Sequence, residues 1–275
     1  MIEFPIKHKL SNQIQFTAKI NCDESTPYSQ KLGLAVKWAI ENNVCHLSNA
    51  NLEGAYLIDA YLKGANLRGA NLIDAYLKGA NLRDANLTCT YLNGADLRGA
   101  NLMDANLNGA NLNGTNLNGA YLRGANLRCA YLNGTNLEGA NLEGVNLEGA
   151  YLTRVNLKGA NLMGAYLQDA LSEEQLINYK HDFWGILLQY RNEIESLREH
   201  ILAGKINGSV YSGECACLMG TIANIKSCEV DELEKDHLSY IESWFTMIKE
   251  GDTPENNYAS EMTLKWLDEF VSLTK

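Results

Sequence analysis

Long apolar runs, a basic leader, paired metal-ligand motifs and phosphate-binding glycine loops are all missing from this chain of 275 residues, which also holds only three prolines. Each absence removes a class of function. No segment is apolar for the ~20 residues that a membrane-spanning helix needs. Met1-Ile2-Glu3-Phe4-Pro5 has no basic region leading into an apolar stretch, so no secretory signal is expected and the protein reads as cytoplasmic. Seven cysteines, Cys22, Cys45, Cys89, Cys129, Cys215, Cys217 and Cys228, are odd in number and follow no disulfide rhythm, which suits a reducing compartment. Neither C-x2-C nor H-x3-H spacing occurs, and on a helix Cys215 and Cys217 point about 200° apart, so they read as structural cysteines and no metal is expected. A nucleotide loop is excluded because the glycines lack the required strand before and helix after. His181, Asp182, Glu214 and His237 are acid and base candidates that almost any helical domain would offer, so no catalytic residue and no cofactor is assigned.

What the chain does have is leucine at every fifth position from Leu52 to Leu167, 24 in succession. The residue two places before each is small, Ala almost everywhere, with Thr90, Thr115, Thr135, Val145 and Val155 as variants. A period of five matches neither the 3.6 of a helix nor the 2.0 of a strand. It signals a solenoid whose repeats bury their apolar side only by stacking on their neighbours. Units such as Leu67-Arg68-Gly69-Ala70 put glycine third in a four-residue turn, where a type II turn needs positive φ. At Asp59, Asp74, Asp84, Cys89, Asp104, Cys129, Arg154 and Asp169 a β-carbon disfavours that geometry, and a different turn is expected there.

The repeated word Ala-Asn-Leu-x-Gly over about residues 46–170 resembles the pentapeptide-repeat family. The resemblance implies a right-handed quadrilateral parallel β-helix with four pentapeptides per coil, Ala and Leu inward, and about six coils here. At ~4.8 Å per coil this is a rod roughly 29 Å long with no internal pocket. Each buried leucine contributes ~1.5–3 kcal/mol before entropy, enough to hold the rod without disulfide or metal. Cys89 and Cys129 then lie two coils apart, about 9.6 Å and too far for a bridge, so both are free thiols.

Residues 1–45 differ. Ile2, Phe4 and Ile6, then Ile14, Phe16, Ala18 and Ile20, alternate as the strands of a hairpin, and 29–41 carries Leu32, Leu34, Ala35, Trp38 and Ala39 at helical spacing. This segment is expected to cap the edge of the first coil, which would otherwise invite aggregation. After Ala170 the repeat stops, and Ser172-Glu173-Glu174-Gln175 has the form of a helix capping box. An all-α domain over 171–275 follows, with helices expected at 173–190, 192–203, 214–227, 231–249 and 258–273. Its segment Tyr211 to Asn224 is similar to C-terminal modules of phage and prophage pentapeptide-repeat proteins.

The formal net charge of −10 is unevenly placed: residues 46–170 carry −1, residues 171–275 carry −10 and residues 1–45 carry +1. Some members of the family are thought to imitate the phosphate path of DNA and bind type II topoisomerases. Glu138, Glu143 and Glu148 fall on three faces of one coil, a partial ring rather than a stripe, so any such mimicry draws on the acidic helical domain. Lys63, Arg83 and Arg123 recur at twenty-residue spacing on one face, with Asp84 and Asp104 placed to neutralise them. Tyr replaces Asn before eight leucines, and Tyr56 over Tyr76 and Tyr131 over Tyr151 form outward pairs able to anchor a protein interface. The Asn columns are expected to form hydrogen-bonded ladders.

The resulting expectation is a non-enzymatic macromolecular binding protein, a phage-encoded modulator or inhibitor of a host nucleic-acid-handling or defence protein. Its partner would be a topoisomerase or a defence nuclease, with no direct nucleic-acid binding and no membrane, and a homodimer contact would lie in the C-terminal domain. A structural, adaptor or virion-associated protein is the second reading, and a catalytic helical domain the third.

Overall fold

The computed structural model describes residues 1–44, 47–157, 159–167, 170, 173–206, 218–226, 244, 245, 247, 248 and 251–274. The chain divides into two compact units, Met1–Ala160 and Asn161–Lys275.

The first unit opens with an antiparallel hairpin of β1 (Ile2–Lys7) and β2 (Ile14–Ile20), paired from Ile2↔Ile20 to Ile6↔Phe16 with an irregularity after Ile6. Its alternation buries Phe4, Ile6, Ala18 and Ile20 on one face. Helix α1 (Tyr28–Glu41) starts after Pro27, where a missing N–H and a preset φ are no handicap, and buries Leu32, Gly33, Ala35, Val36 and Ala39.

From residue 51 the chain is a parallel β-helix in which each bridging residue pairs with the residue twenty further on: Asn51↔Asn71↔Tyr91↔Asn111↔Tyr131↔Tyr151, with like columns starting at Tyr56, Tyr61 and Asn66. Twenty residues per coil is four pentapeptides. In a repeat with coils on both sides, three backbone N–H groups are satisfied by neighbouring coils and one by the turn. Thus Asn71 donates to the Ala50 carbonyl (2.9 Å), Leu52 to Asn71 (2.8 Å) and Gly54 to Ile73 (2.9 Å), while Ala55 closes the turn onto Leu52 (3.0 Å). The leucines from Leu52 to Leu152 are buried, as are nearly all the small inward residues. The inward threonines satisfy their hydroxyls by donating to leucine carbonyls of the preceding coil, Thr90 to Leu67 (3.0 Å), Thr115 to Leu92 (2.8 Å) and Thr135 to Leu112 (2.8 Å).

The fifth N–H, that of the variable residue after leucine, explains the asparagines. Asn66 Oδ1 accepts from the Arg68 N–H (3.2 Å), Asn126 from Arg128 (3.1 Å) and Asn146 from Glu148 (2.9 Å), a local turn bond that recurs along the coils. This corrects the expected ladders. Asn-to-Asn bonds between coils occur, as from Asn71 Nδ2 to Asn51 Oδ1 (3.0 Å), but the commoner use of Asn is to complete its own turn. Where Tyr131 and Tyr151 replace Asn, the side chains of Asn113 and Asn133 from the coil below take the orphaned N–H groups of Asn133 and Thr153 (2.9 and 3.2 Å).

A second correction concerns the corners. Asp59, Asp74, Asp84, Cys89, Asp104, Cys129 and Arg154 keep the positive φ, 54–59°, that glycine holds elsewhere, so these turns are not a different type. Left-handed geometry costs a non-glycine residue ~1–2 kcal/mol, least for Asp. Hydrogen bonds on both sides outweigh it: Cys89 N–H reaches the Asn108 carbonyl (3.0 Å) while Thr90 closes onto Leu87 (3.1 Å). Asp169 lies outside the described residues.

The N-terminal segment is bonded to the edge of the first coil. Lys9 N–H donates to the Asn49 carbonyl (2.9 Å), Asn51 to Lys7 (2.8 Å), Tyr56 to Ser29 (2.9 Å), and Gln15 Nε2 to Ser48 (2.8 Å). Gly33 of α1 packs directly on the Tyr56 carbonyl.

The second unit is helical: α2 (Glu173–Gln189), a 3-10 turn at Arg191–Glu193, α3 (Ile194–Leu202), α4 (Leu218–Lys226) and α5 (Tyr258–Thr274). Its core is aromatic, with Trp244 against Trp266 (4.6 Å between centroids) and Tyr179 (5.2 Å), and Phe183 against Phe245 (5.9 Å). Trp244 Nε1 donates to Thr263 (2.9 Å) and Trp184 Nε1 to the Trp266 carbonyl (2.9 Å). The capping box at Ser172, most of the helix expected at 231–249, and Cys215, Cys217 and Cys228 lie outside the described residues. No helix among the described residues is long and apolar enough to cross a membrane.

Candidate protein-binding surface

Three of the five positions in each repeat face outward, and the twenty-residue register stacks them into columns. Tyr56 and Tyr76 open one column, which continues through Asp96, Asn116, Asn136 and Asn156. Tyr91, Tyr131 and Tyr151 belong to the column beginning at Asn51. The two tyrosine pairs therefore stand on different faces, at opposite ends of their columns, and do not form one patch.

Their geometry also differs. Tyr131 and Tyr151 are parallel, 5° between planes and 4.9 Å between centroids, whereas Tyr56 and Tyr76 are tilted by 41° at 6.2 Å. All four are about half exposed, from 44% at Tyr131 to 54% at Tyr151. The backbone ladder sets the spacing of both pairs, and Tyr131 with Tyr151 is the closer and more nearly parallel of the two.

Charge on the coils is compensated in place at some positions and not at others. Arg83 lies between Asp84 (3.7 Å) and Asp104 (3.7 Å), while exposed Lys63 and Arg123 of the same column have no ion pair among the described residues. Of the three glutamates, Glu148 pairs with Arg128 of the coil below (3.1 Å), Glu138 accepts from Asn156 Nδ2 (3.3 Å), and Glu143 is half-buried with its N–H on Asn141 Oδ1 (3.0 Å). They do not converge. Exposed pairs of this kind stabilise by at most ~1 kcal/mol.

Two arrangements escaped the sequence reading. Arg98 clamps Asp96 with two bonds, Nε to Oδ1 (2.8 Å) and Nη2 to Oδ2 (2.6 Å). The Arg98 hydrogen bond is the main reason the Asp96 carboxyl sits below its ordinary range. The i, i+2 spacing across a turn was the available signal. Lys9 reaches from the hairpin to donate to the Gly69 carbonyl and lies 4.0 Å over the ring of Tyr91, and burial lowers its pKa. Nothing in the repeat period announces that contact.

Among the described residues no three His, Cys, Asp or Glu side chains are grouped to hold a metal ion, and Cys22, Cys89 and Cys129 are free thiols.

Comparison with known proteins places these columns in a family context. Residues 45–84, 65–102, 100–139 and 130–169 match the family described as Pentapeptide repeats, with eight copies. No curated protein matches the chain. Among solved structures, a pentapeptide repeat protein from the thylakoid lumen of Arabidopsis thaliana is 33% identical over 38% of this chain and 74% of its own, with a TM-score of 0.36. HetL of the cyanobacterium Nostoc sp. strain PCC 7120, involved in heterocyst differentiation regulation, is 32% identical over 44% of this chain and 69% of its own, TM-score 0.23. QnrB1, a plasmid-mediated fluoroquinolone resistance protein, is 28% identical over 42% of this chain and 59% of its own, TM-score 0.39. With its unbroken five-residue period, inward leucines and eight matched repeat copies, the chain belongs to the pentapeptide-repeat family, whose members form right-handed β-helices.

Proposed function

We propose that this protein is a non-enzymatic binding protein whose β-helix, four-sided and about six coils long, holds outward side chains at fixed spacing for a protein partner. The observation that carries the reading is the half-exposed parallel pair Tyr131 and Tyr151, placed on the coil ladder rather than on a loop. Rigid aromatics of this kind bury large area with little loss of side-chain entropy. In its finer form the protein is a phage-encoded modulator of a host nucleic-acid-handling or defence protein in the cytoplasm, and a topoisomerase is the most concrete target. It would act by occupying a DNA-binding surface, with the −10 charge of residues 171–275 supplying the negative potential. The phage attribution is supported by the resemblance of residues 211–224 alone.

The test is DNA supercoiling and cleavage by purified gyrase, titrated with the wild-type chain and with the Tyr131→Ser/Tyr151→Ser variant. Inhibition by the wild type that the variant loses supports the reading. Unchanged supercoiling and cleavage at a large excess of wild type removes the topoisomerase version. Capture from bacterial lysate with nuclease present then asks whether any partner depends on the two tyrosines.

A further inference from the structure

We infer that the cleft between α1 and the first coil at Tyr61 is a docking site for an extended segment of a partner protein, which adds a parallel strand at an open stretch of the β-helix edge. The hairpin and α1 supply acceptors for the N–H groups on the first two sides of that edge, with Asn51 N–H bonded to Lys7 (2.8 Å) and Tyr56 N–H to Ser29 (2.9 Å). On the third side Tyr61 is served only from above: Leu62 donates to Asn81 (2.8 Å) and Asn81 to Ala60 (2.9 Å). The Tyr61 N–H and carbonyl, the groups a coil below would engage, have no partner among the described residues.

A second, independent observation points the same way. Ala50, Ala55, Ala65 and Ala70 are buried, but Ala60 is partly exposed, so the column of small inward residues is uncovered at this side although Leu57 and Leu62 are buried. It opens into a cleft of about 730 Å³ walled by Val36 and Ile40 of α1 and by Ile58 and Leu62 of the coil. Lys37 and Glu41 on the rim neutralise one another at 3.9 Å and Asp59 is the remaining charged residue of the lining, so charge alone does not select the occupant.

Backbone groups and apolar walls do. Following the register of the coils above, an incoming residue aligned with Tyr61 is flanked by one whose carbonyl accepts the Tyr61 N–H and one whose N–H reaches the Tyr61 carbonyl. Those two flanking side chains point inward over Ala60 and Leu62, so the segment reads small, any, apolar over about three or four residues. Because α1 walls the cleft, it admits a single strand and not the flank of a second β-helix. This site is separate from the outward tyrosines, and a negative gyrase result leaves it standing.

The probe is the blocked hexapeptide acetyl-Gly-Ala-Asn-Leu-Arg-Gly-amide, which copies residues 64–69, titrated into the full 15N-labelled chain. Two analogues accompany it, one N-methylated at its leucine and one at its asparagine. Binding should shift the Tyr61 amide resonance and slow its hydrogen exchange by about tenfold or more. The N-methyl-leucine peptide, which cannot donate to the Tyr61 carbonyl, should bind about tenfold more weakly, while the N-methyl-asparagine peptide, whose N–H points away, should bind like the parent. No response at Tyr61 at millimolar peptide overturns the proposal, as does equal binding by the two methylated peptides. Concentration-dependent shifts at Tyr61 without peptide would assign the edge to a second copy of this chain and overturn it equally.

Discussion

Replacing Gly33 by alanine should destabilise the N-terminal unit, although helix propensity alone says the opposite. In the interior of α1 an alanine gains ~0.5–1 kcal/mol over glycine. At this position, however, a Cβ would collide with the Tyr56 carbonyl oxygen and lie 3.0 Å from its carbon. Those atoms are backbone and cannot rotate aside, being held by Tyr56 N–H on Ser29 (2.9 Å) and by Leu57 N–H on Tyr76 (2.8 Å). Helix α1 must therefore withdraw by roughly 1 Å, loosening the contacts of buried Leu32 and Val36. Overpacking of this kind costs ~1–3 kcal/mol, so after the propensity gain the net effect is a loss of up to about 2.5 kcal/mol. Urea denaturation measures the sum, and hydrogen exchange at the Tyr56 amide reports whether the cap has lifted. Gly185→Ala is the control: in α2 nothing lies within 4 Å of the added methyl, and that variant should gain ~0.5–1 kcal/mol in its own unit. A stabilised Gly33→Ala with unchanged Tyr56 exchange would refute the account of the cap.

Three further outcomes test the coil. Arg154 holds φ at 57° and Gly99 at 62°, so Arg154→Gly should raise stability by about 1 kcal/mol and Gly99→Ala should lower it by about 1–2 kcal/mol, read from denaturant midpoints. Asn126→Ala removes the acceptor for the Arg128 N–H (3.1 Å) and should cost about 1 kcal/mol, with that amide alone exchanging faster by NMR. The Asp96 carboxyl is held below its unfolded value by Arg98, so its contribution is fully present above the unfolded carboxylate range and is lost as pH falls through the lowered folded value. Thermal melts of Arg98→Ala should lie below wild type near neutral pH and converge with it as pH falls through the lowered Asp96 value, and a gap that does not close in acid would discount the clamp.

The legible parts of this protein are those written in its period. Leucine at every fifth place identified the inward column, the glycines marked the corners, and the alternation of Ile2, Phe4 and Ile6 marked the hairpin. Helix α1 and the described helices of the second unit fall within a few residues of their apolar patterns. The candidate surface was legible as columns, since register follows from spacing, and Arg83 does lie between Asp84 and Asp104. It was not legible as geometry: spacing cannot say that Tyr131 and Tyr151 are parallel while Tyr56 and Tyr76 are tilted.

Sequence alone determined the solenoid, because an apolar residue every five positions can be buried in one continuous interior and in no helix or flat strand. Only the tertiary structure decided the rest. Asp and Cys accept a left-handed corner because ladder bonds from the next coil, about twenty residues away in sequence, outweigh a local cost of ~1–2 kcal/mol. Asn turns onto its own corner because every other N–H of the repeat is already taken by a neighbouring coil or by the closure of the turn. The open edge at Tyr61 exists because the hairpin and α1 supply backbone partners at Asn51 and Tyr56 and none there. In each case the deciding partner is distant along the chain, and local propensity carries no information about it.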